Sequence, residues 1–187
     1  LPARDTRSWI TLVTGYAKYG QVEQAFKYFE KIEKDSGDAF FMTCVDKGEG
    51  VSQELSRKRQ ESNKEKEIGF VSILNACSHA GAVDTGHAYF EVLNLGDYGL
   101  MPTLEHYMCM IDLLSRAGQV DNALRVITLM PFHPNLLIWH TVLSASKKWG
   151  IVELGEHAFA HAVQLNVDDI SAYVCMYNIY IAGHMQG

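Results

Sequence analysis

The sequence has no positive charge to spare: its 187 residues carry 16 lysines and arginines against 22 aspartates and glutamates, a net charge of −6. A protein that grips nucleic acid by bulk electrostatics presents a basic surface. Any such role here must rest on a few placed side chains instead. Cysteine is sparse too. Cys44, Cys77, Cys109 and Cys175 form no CxxC pair, so neither a zinc knuckle nor a disulfide framework is indicated. They read as small buried hydrophobes in a reducing compartment. No apolar run reaches the length of a membrane span, so no membrane partner is expected. No glycine-rich phosphate loop or nucleophile elbow is present, and no cofactor is implied. The first residue is Leu1, so a natural N-terminus is expected upstream, and the lack of a targeting segment says nothing about location.

Hydrophobic residues make up 48 % of the chain and charged residues 20 %. That is enough to build a core and too apolar for a disordered tail. The organisation is repetitive. SWITLVTGYAKYGQVEQA from Ser8, GFVSILNACSHAGAVDTG from Gly69, HYMCMIDLLSRAGQVDNA from His106 and IWHTVLSASKKWGIVELG from Ile138 align without gaps. In each, an aromatic (Trp9, Phe70, Tyr107, Trp139) precedes a glycine (Gly20, Gly81, Gly118, Gly150) by eleven positions. Val22, Val83, Val120 and Val152 follow the glycines. Then come the tiny residues Ala25, Gly86, Ala123 and Gly155, and finally Phe29, Phe90, Ile127 and Phe159. A partial fifth unit, SAYVCMYNIYIAG, begins at Ser171.

This pattern specifies two helices per unit. The aromatic and the apolar residues three, four and seven positions later make one face of a first helix. Glycine stops that helix in the left-handed conformation. A second helix starts at the valine, and its tiny residue lets the two helices approach closely. The later Phe or Ile fills the groove to the next unit. One such hairpin cannot bury its own face, so hairpins stack. The expected fold is all-α, an α-solenoid of helix–turn–helix repeats. The turn glycines stand 61, 37 and 32 residues apart. The excess in the first interval falls on KGEGVSQELSRKRQESNKEKE, which reads as an inserted linker, either disordered or a solvated helix. Arg57, Lys58 and Arg59 there could touch phosphates, though a solvated charge cluster is the plainer reading.

The chain resembles plant pentatricopeptide repeat proteins of the PLS class, in which repeats of alternating length precede E motifs. The order of units carries the resemblance. Residues 1–37 look like a P-type repeat, 38–66 are the polar insertion, 67–103 look like an L-type repeat and 104–135 like the final S-type repeat. Residues 136–168 resemble an E motif, and 169–187 the start of a second. The resemblance implies that each repeat reads about one base of single-stranded RNA, through the residue after the first-helix aromatic and the last residue of the repeat. Those positions are Ile10; Val71 with Thr103; and Met108 with Asn135. Ile10, Val71 and Met108 offer a base no strong hydrogen bond, so Asn135 keeps the clearest reading chemistry. Weak RNA binding by this chain is expected, with most recognition in upstream repeats. The resemblance further implies a mitochondrial or chloroplast location. The E motifs would join the array to a cytidine-deaminase-type domain or to an accessory protein that supplies one.

Deamination itself needs HxE followed by PCxxC to hold zinc and move protons, and neither occurs in the sequence. The chain is therefore read as non-enzymatic. Glu153, His157 and His161 share a helix face by their spacing, but no HExxH and no third ligand accompany them. A half-exposed repeat helix is the favoured reading over a metal site. His79 would cap carbonyls at a helix end. Another class of function stays open: a protein-interaction scaffold without direct RNA binding. A tetratricopeptide array does not fit, because its 34-residue period and W-LG-Y pattern are missing.

Overall fold

The computed structural model describes residues 52–95, 100–184 and, of the first repeat, positions 11, 12, 15, 16, 19, 21, 24, 27 and 28. Among these residues there are seven complete helices and no strand. They are α1 (Ser52–Ala80), α2 (Val83–Asn94), α3 (Leu104–Arg116), α4 (Val120–Leu129), α5 (Leu136–Trp149), α6 (Val152–Leu165) and α7 (Ile170–His184). The all-α reading holds. The chain divides into two compact units, Leu1–His106 and Tyr107–Gly187, the boundary falling in the first turn of α3.

The turn glycines stop helices as the repeat pattern requires. Gly81, Gly118 and Gly150 have φ of 68°, 79° and 69°, where a side chain would be strained. Each sits inside the same hydrogen-bonded clasp. Ala82 N donates to the Cys77 carbonyl at 2.9 Å, Gln119 N to Leu114 at 2.9 Å, and Ile151 N to Ser146 at 3.0 Å. These are Schellman closures, and they satisfy carbonyls that the helix end would leave without partners. In the first repeat Gln21 N reaches the Tyr16 carbonyl at 2.9 Å, the same span, and Tyr16 stacks on Tyr28 at 5.3 Å. Gly20 itself lies outside the described residues. The next helices then begin at Val83, Val120 and Val152.

In the first unit, Phe70, Ile73, Leu74 and Cys77 recur at helical spacing on α1 and are fully buried. They form the apolar stripe that α2 covers with Phe90 and Leu93. Burial pushes the Cys77 thiol up to about 11, so it stays protonated and acts as a core hydrophobe. The helical part of the polar segment, residues 52–66, runs into this stripe as one continuous helix. Its Glu, Lys, Arg and Gln residues are good helix formers, and no proline interrupts them. Residues 38–51, and the side chains of Arg57, Lys58 and Arg59, lie outside the described residues.

In the second unit α5 packs on α6 and α7, and α6 packs on α7. This is the local step of a stacked array: a first helix touches its own second helix and the next first helix. Gly155 permits it. A Cβ there would stand 2.9 Å from Ile179 Cδ1 on α7. Phe159 bridges forward as the pattern requires, meeting Tyr173 edge-on at 5.0 Å. The end of α5 also clasps the end of α3. Trp149 Nε1 donates to the Ser115 carbonyl and Lys148 Nζ to the Arg116 carbonyl, both at 2.9 Å. The Trp149 ring lies against Gly118, where a Cβ would come within 3.0 Å.

Candidate nucleic-acid interface

Each first helix is entered through a residue four positions before its aromatic. That residue is Thr103 before α3, Asn135 before α5 and Asp169 before α7. All three are residue types whose short polar side chains favour the start of a helix. What each side chain then touches differs.

At Asn135 the side chain does two things. Its Oδ1 accepts from Ile138 N at 3.0 Å, capping α5, and its Nδ2 points back to the Met108 sulfur at 3.7 Å. Met108 and Asn135 are thus brought together, both half-buried. The thioether is a weak acceptor, so the amide donor is only lightly held and stays available.

At Thr103 the arrangement is closed. Thr103 N donates to His106 Nδ1 at 3.0 Å, and the Thr103 hydroxyl lies 2.8 Å from the same nitrogen. Because Nδ1 accepts, the ring proton sits on Nε2, which donates to the Glu67 carbonyl at 3.3 Å. His106 is fully buried and meets Phe70 edge-on. It plays the part of the Glu in a capping box. Burial pulls its pKa below the ordinary histidine value, against the smaller opposing effects of the Glu67 carbonyl and the Glu105 charge. Val71 sits half-buried on α1 and has no side-chain polar atom to offer. Ile10 lies outside the described residues.

The third junction was not among the residues singled out from the sequence. His140 Nε2 stands 2.6 Å from Asp169 Oδ2. Asp169 Oδ1 caps α7 through Ser171 N at 3.2 Å and Ala172 N at 3.4 Å. His140 follows the aromatic Trp139, and Asp169 precedes the next first helix, just as Met108 and Asn135 do. The signal was present: counting back four from Tyr173 lands on Asp169.

Beside this junction, still within the second unit, a cavity of about 380 Å³ opens between the exposed ends of α3 and α5. Asp112, Ser115 and Arg116 line it from α3, and His140, Ser144 and Lys148 from α5. Arg116 Nε is held by Asp112 Oδ2 at 2.8 Å. The histidines weighed as metal ligands are occupied by aromatic packing. His161 stacks on Trp139 at 4.2 Å with planes 7° apart, and His157 meets both rings edge-on. Among the described residues no cluster could hold a metal ion, and no helix is long and apolar enough to cross a membrane. His79 lies exposed in the last turn of α1.

The PPR repeat family profile matches residues 7–36 and 105–132. The second match covers α3, α4 and the Tyr107–Phe132 edge contact at 5.9 Å. The chain carries pentatricopeptide repeats. It is similar almost end to end to plant proteins built of them. A putative pentatricopeptide repeat-containing protein of Arabidopsis thaliana is 36 % identical over 98 % of this chain and 16 % of its own length. A second Arabidopsis pentatricopeptide repeat-containing protein is 33 % identical over 94 % of the chain and 32 % of itself. A third, named as mitochondrial, is 38 % identical over 91 % of the chain and 19 % of itself. The chain thus spans less than a third of the length of each of these curated relatives.

Proposed function

We propose that this chain is an RNA-binding specificity module of an organellar RNA-modification factor of the cytidine-to-uridine editing type, itself non-catalytic. The observation that carries the reading is the junction geometry. The residue after a first-helix aromatic meets the residue that starts the next first helix, as Met108 meets Asn135 at 3.7 Å. Two side chains offered together at a regular step along stacked hairpins suit the reading of successive splayed bases. Asn135 is the strongest reader of the residues proposed, its amide donor facing outward from a fixed cap. Thr103 contributes less, because His106 engages its hydroxyl. Val71 and Ile10 contribute shape alone. A mitochondrial or chloroplast site of action accords with the relative named as mitochondrial. The segment 136–187 is proposed as a pair of E motifs, one partial, that engage a deaminase-type domain or an editing accessory protein.

One observation favours that second surface. Helix α7 buries Ala172, Met176 and Ile179 against α5 and α6, yet its other side is apolar too, with Tyr173, Val174, Tyr177 and Ile181 exposed. A helix apolar on both sides suits a protein contact, so a protein-interaction scaffold is the alternative reading for this end. Fluorescence anisotropy of the 187-residue chain with labelled single-stranded RNA separates the two. RNA binding should weaken steadily as salt rises. A chain that shows no salt-sensitive RNA binding is a scaffold.

A further inference from the structure

We infer that the cavity between α3 and α5 binds one nucleotide of the RNA, with His140 reading the base. This rests on the RNA reading above, but it places a reader in the segment 136–168, which the resemblance assigned to a connecting role. Four observations converge. First, the cavity is large enough, about 380 Å³, for a nucleotide-sized ligand. Second, Ser115 is 3 % exposed, yet its hydroxyl has no hydrogen-bond partner, and it lines this cavity. A buried hydroxyl without a partner is costly, and a polar ligand would satisfy it.

Third, the mouth is cationic in a chain whose overall charge is −6. Arg116 and Lys148 both line it, with Asp112 the sole carboxylate among the lining residues. Lys148 is pinned to the Arg116 carbonyl, which holds its ammonium beside the guanidinium. Two fixed cations facing one carboxylate suit a phosphate. Fourth, the imidazole of His140 is set in one tautomer. The ionised Asp169 carboxylate can only accept, so Nε2 carries the proton that it receives at 2.6 Å. Neutral His140 is then left with Nδ1 as a lone-pair acceptor. At the middle of the Watson–Crick edge, uracil and guanine carry an N–H, whereas adenine and cytosine carry a lone pair. An acceptor at His140 therefore favours uracil or guanine.

The test uses the full 187-residue chain, anisotropy titrations with labelled oligouridylate and oligoadenylate, and thermal melts. Wild type should prefer oligouridylate. His140→Leu should erase that preference, and His140→Gln should retain it, since the amide can donate to Asp169 while its carbonyl accepts from the base. Ser115→Ala should lower affinity for both RNAs by about two- to tenfold with no fall in melting temperature, because it removes a hydroxyl that has no partner in the free protein. Ser115→Ala and His140→Leu chains that keep wild-type affinity and the wild-type preference overturn this inference and leave the RNA reading standing. A wild-type chain that binds neither RNA overturns both.

Discussion

The entry to α3 and the entries to α5 and α7 are built from the same kind of residue but do different things with it. Thr103 is folded inward onto His106, in a buried capping box. Asn135 and Asp169 cap their helices and also reach back to Met108 and His140 on the preceding first helix. The cause is three residues downstream. That position is His106 in α3, Ile138 in α5 and Ala172 in α7. An imidazole there can accept the cap residue's own N–H and claim its side chain. Ile138 and Ala172 have nothing polar to offer except a backbone N–H, so the cap side chain bonds that N–H and keeps atoms for another partner. One residue thus decides whether a junction is closed for stability or open for recognition.

Substitutions at the three entries should separate the two designs. His106→Ala has the largest expected effect. It leaves Thr103 N and the Glu67 carbonyl buried without partners and should cost about 3 kcal/mol in urea unfolding. Asp169→Ala removes the cap of α7 and the acceptor of His140. It should cost about 2 kcal/mol by the same measurement. Asn135→Ala should cost about 1 kcal/mol, a cap alone, and Asn135→Asp, which keeps the cap oxygen, should cost less. A drop at Asn135 as large as at His106 would erase the distinction between open and closed junctions.

Acid should act on the closed junction. Burial makes folded His106 give up its proton more readily than the unfolded chain does. The unfolded state then binds more protons, so stability falls as pH drops below the ordinary histidine value of 6.5 and is retained above it. Melting temperature recorded between pH 7.5 and pH 5 should decline, and His106→Gln should flatten that decline. An unchanged slope in the variant would place the acid sensitivity elsewhere.

Much of this was legible in the residues. The eleven-residue step from aromatic to glycine located Gly81, Gly118 and Gly150, all of which turn left-handed, and the valines marked the second helices to the residue. The helix over 52–66 was not legible as such, because its polar residues show no apolar face and periodicity has nothing to measure there. The His140–Asp169 pair was missed because a unit boundary was drawn after Asp168 rather than after Asp169, a one-residue error that hides a cap. Ser115 could not be read at all. Whether a serine in an apolar helix finds a partner depends on what packs over it, and that is a tertiary fact.

The account stands on RNA lying along the open junctions. Amide chemical-shift mapping of the ¹⁵N-labelled chain, titrated with single-stranded RNA, tests this most directly. The largest shifts should fall at Asn135, at His140 and Asp169, and along the line from Ser115 to Lys148. Shifts confined to the exposed apolar side of α7, from Tyr173 to Ile181, or no shifts at all, would contradict it.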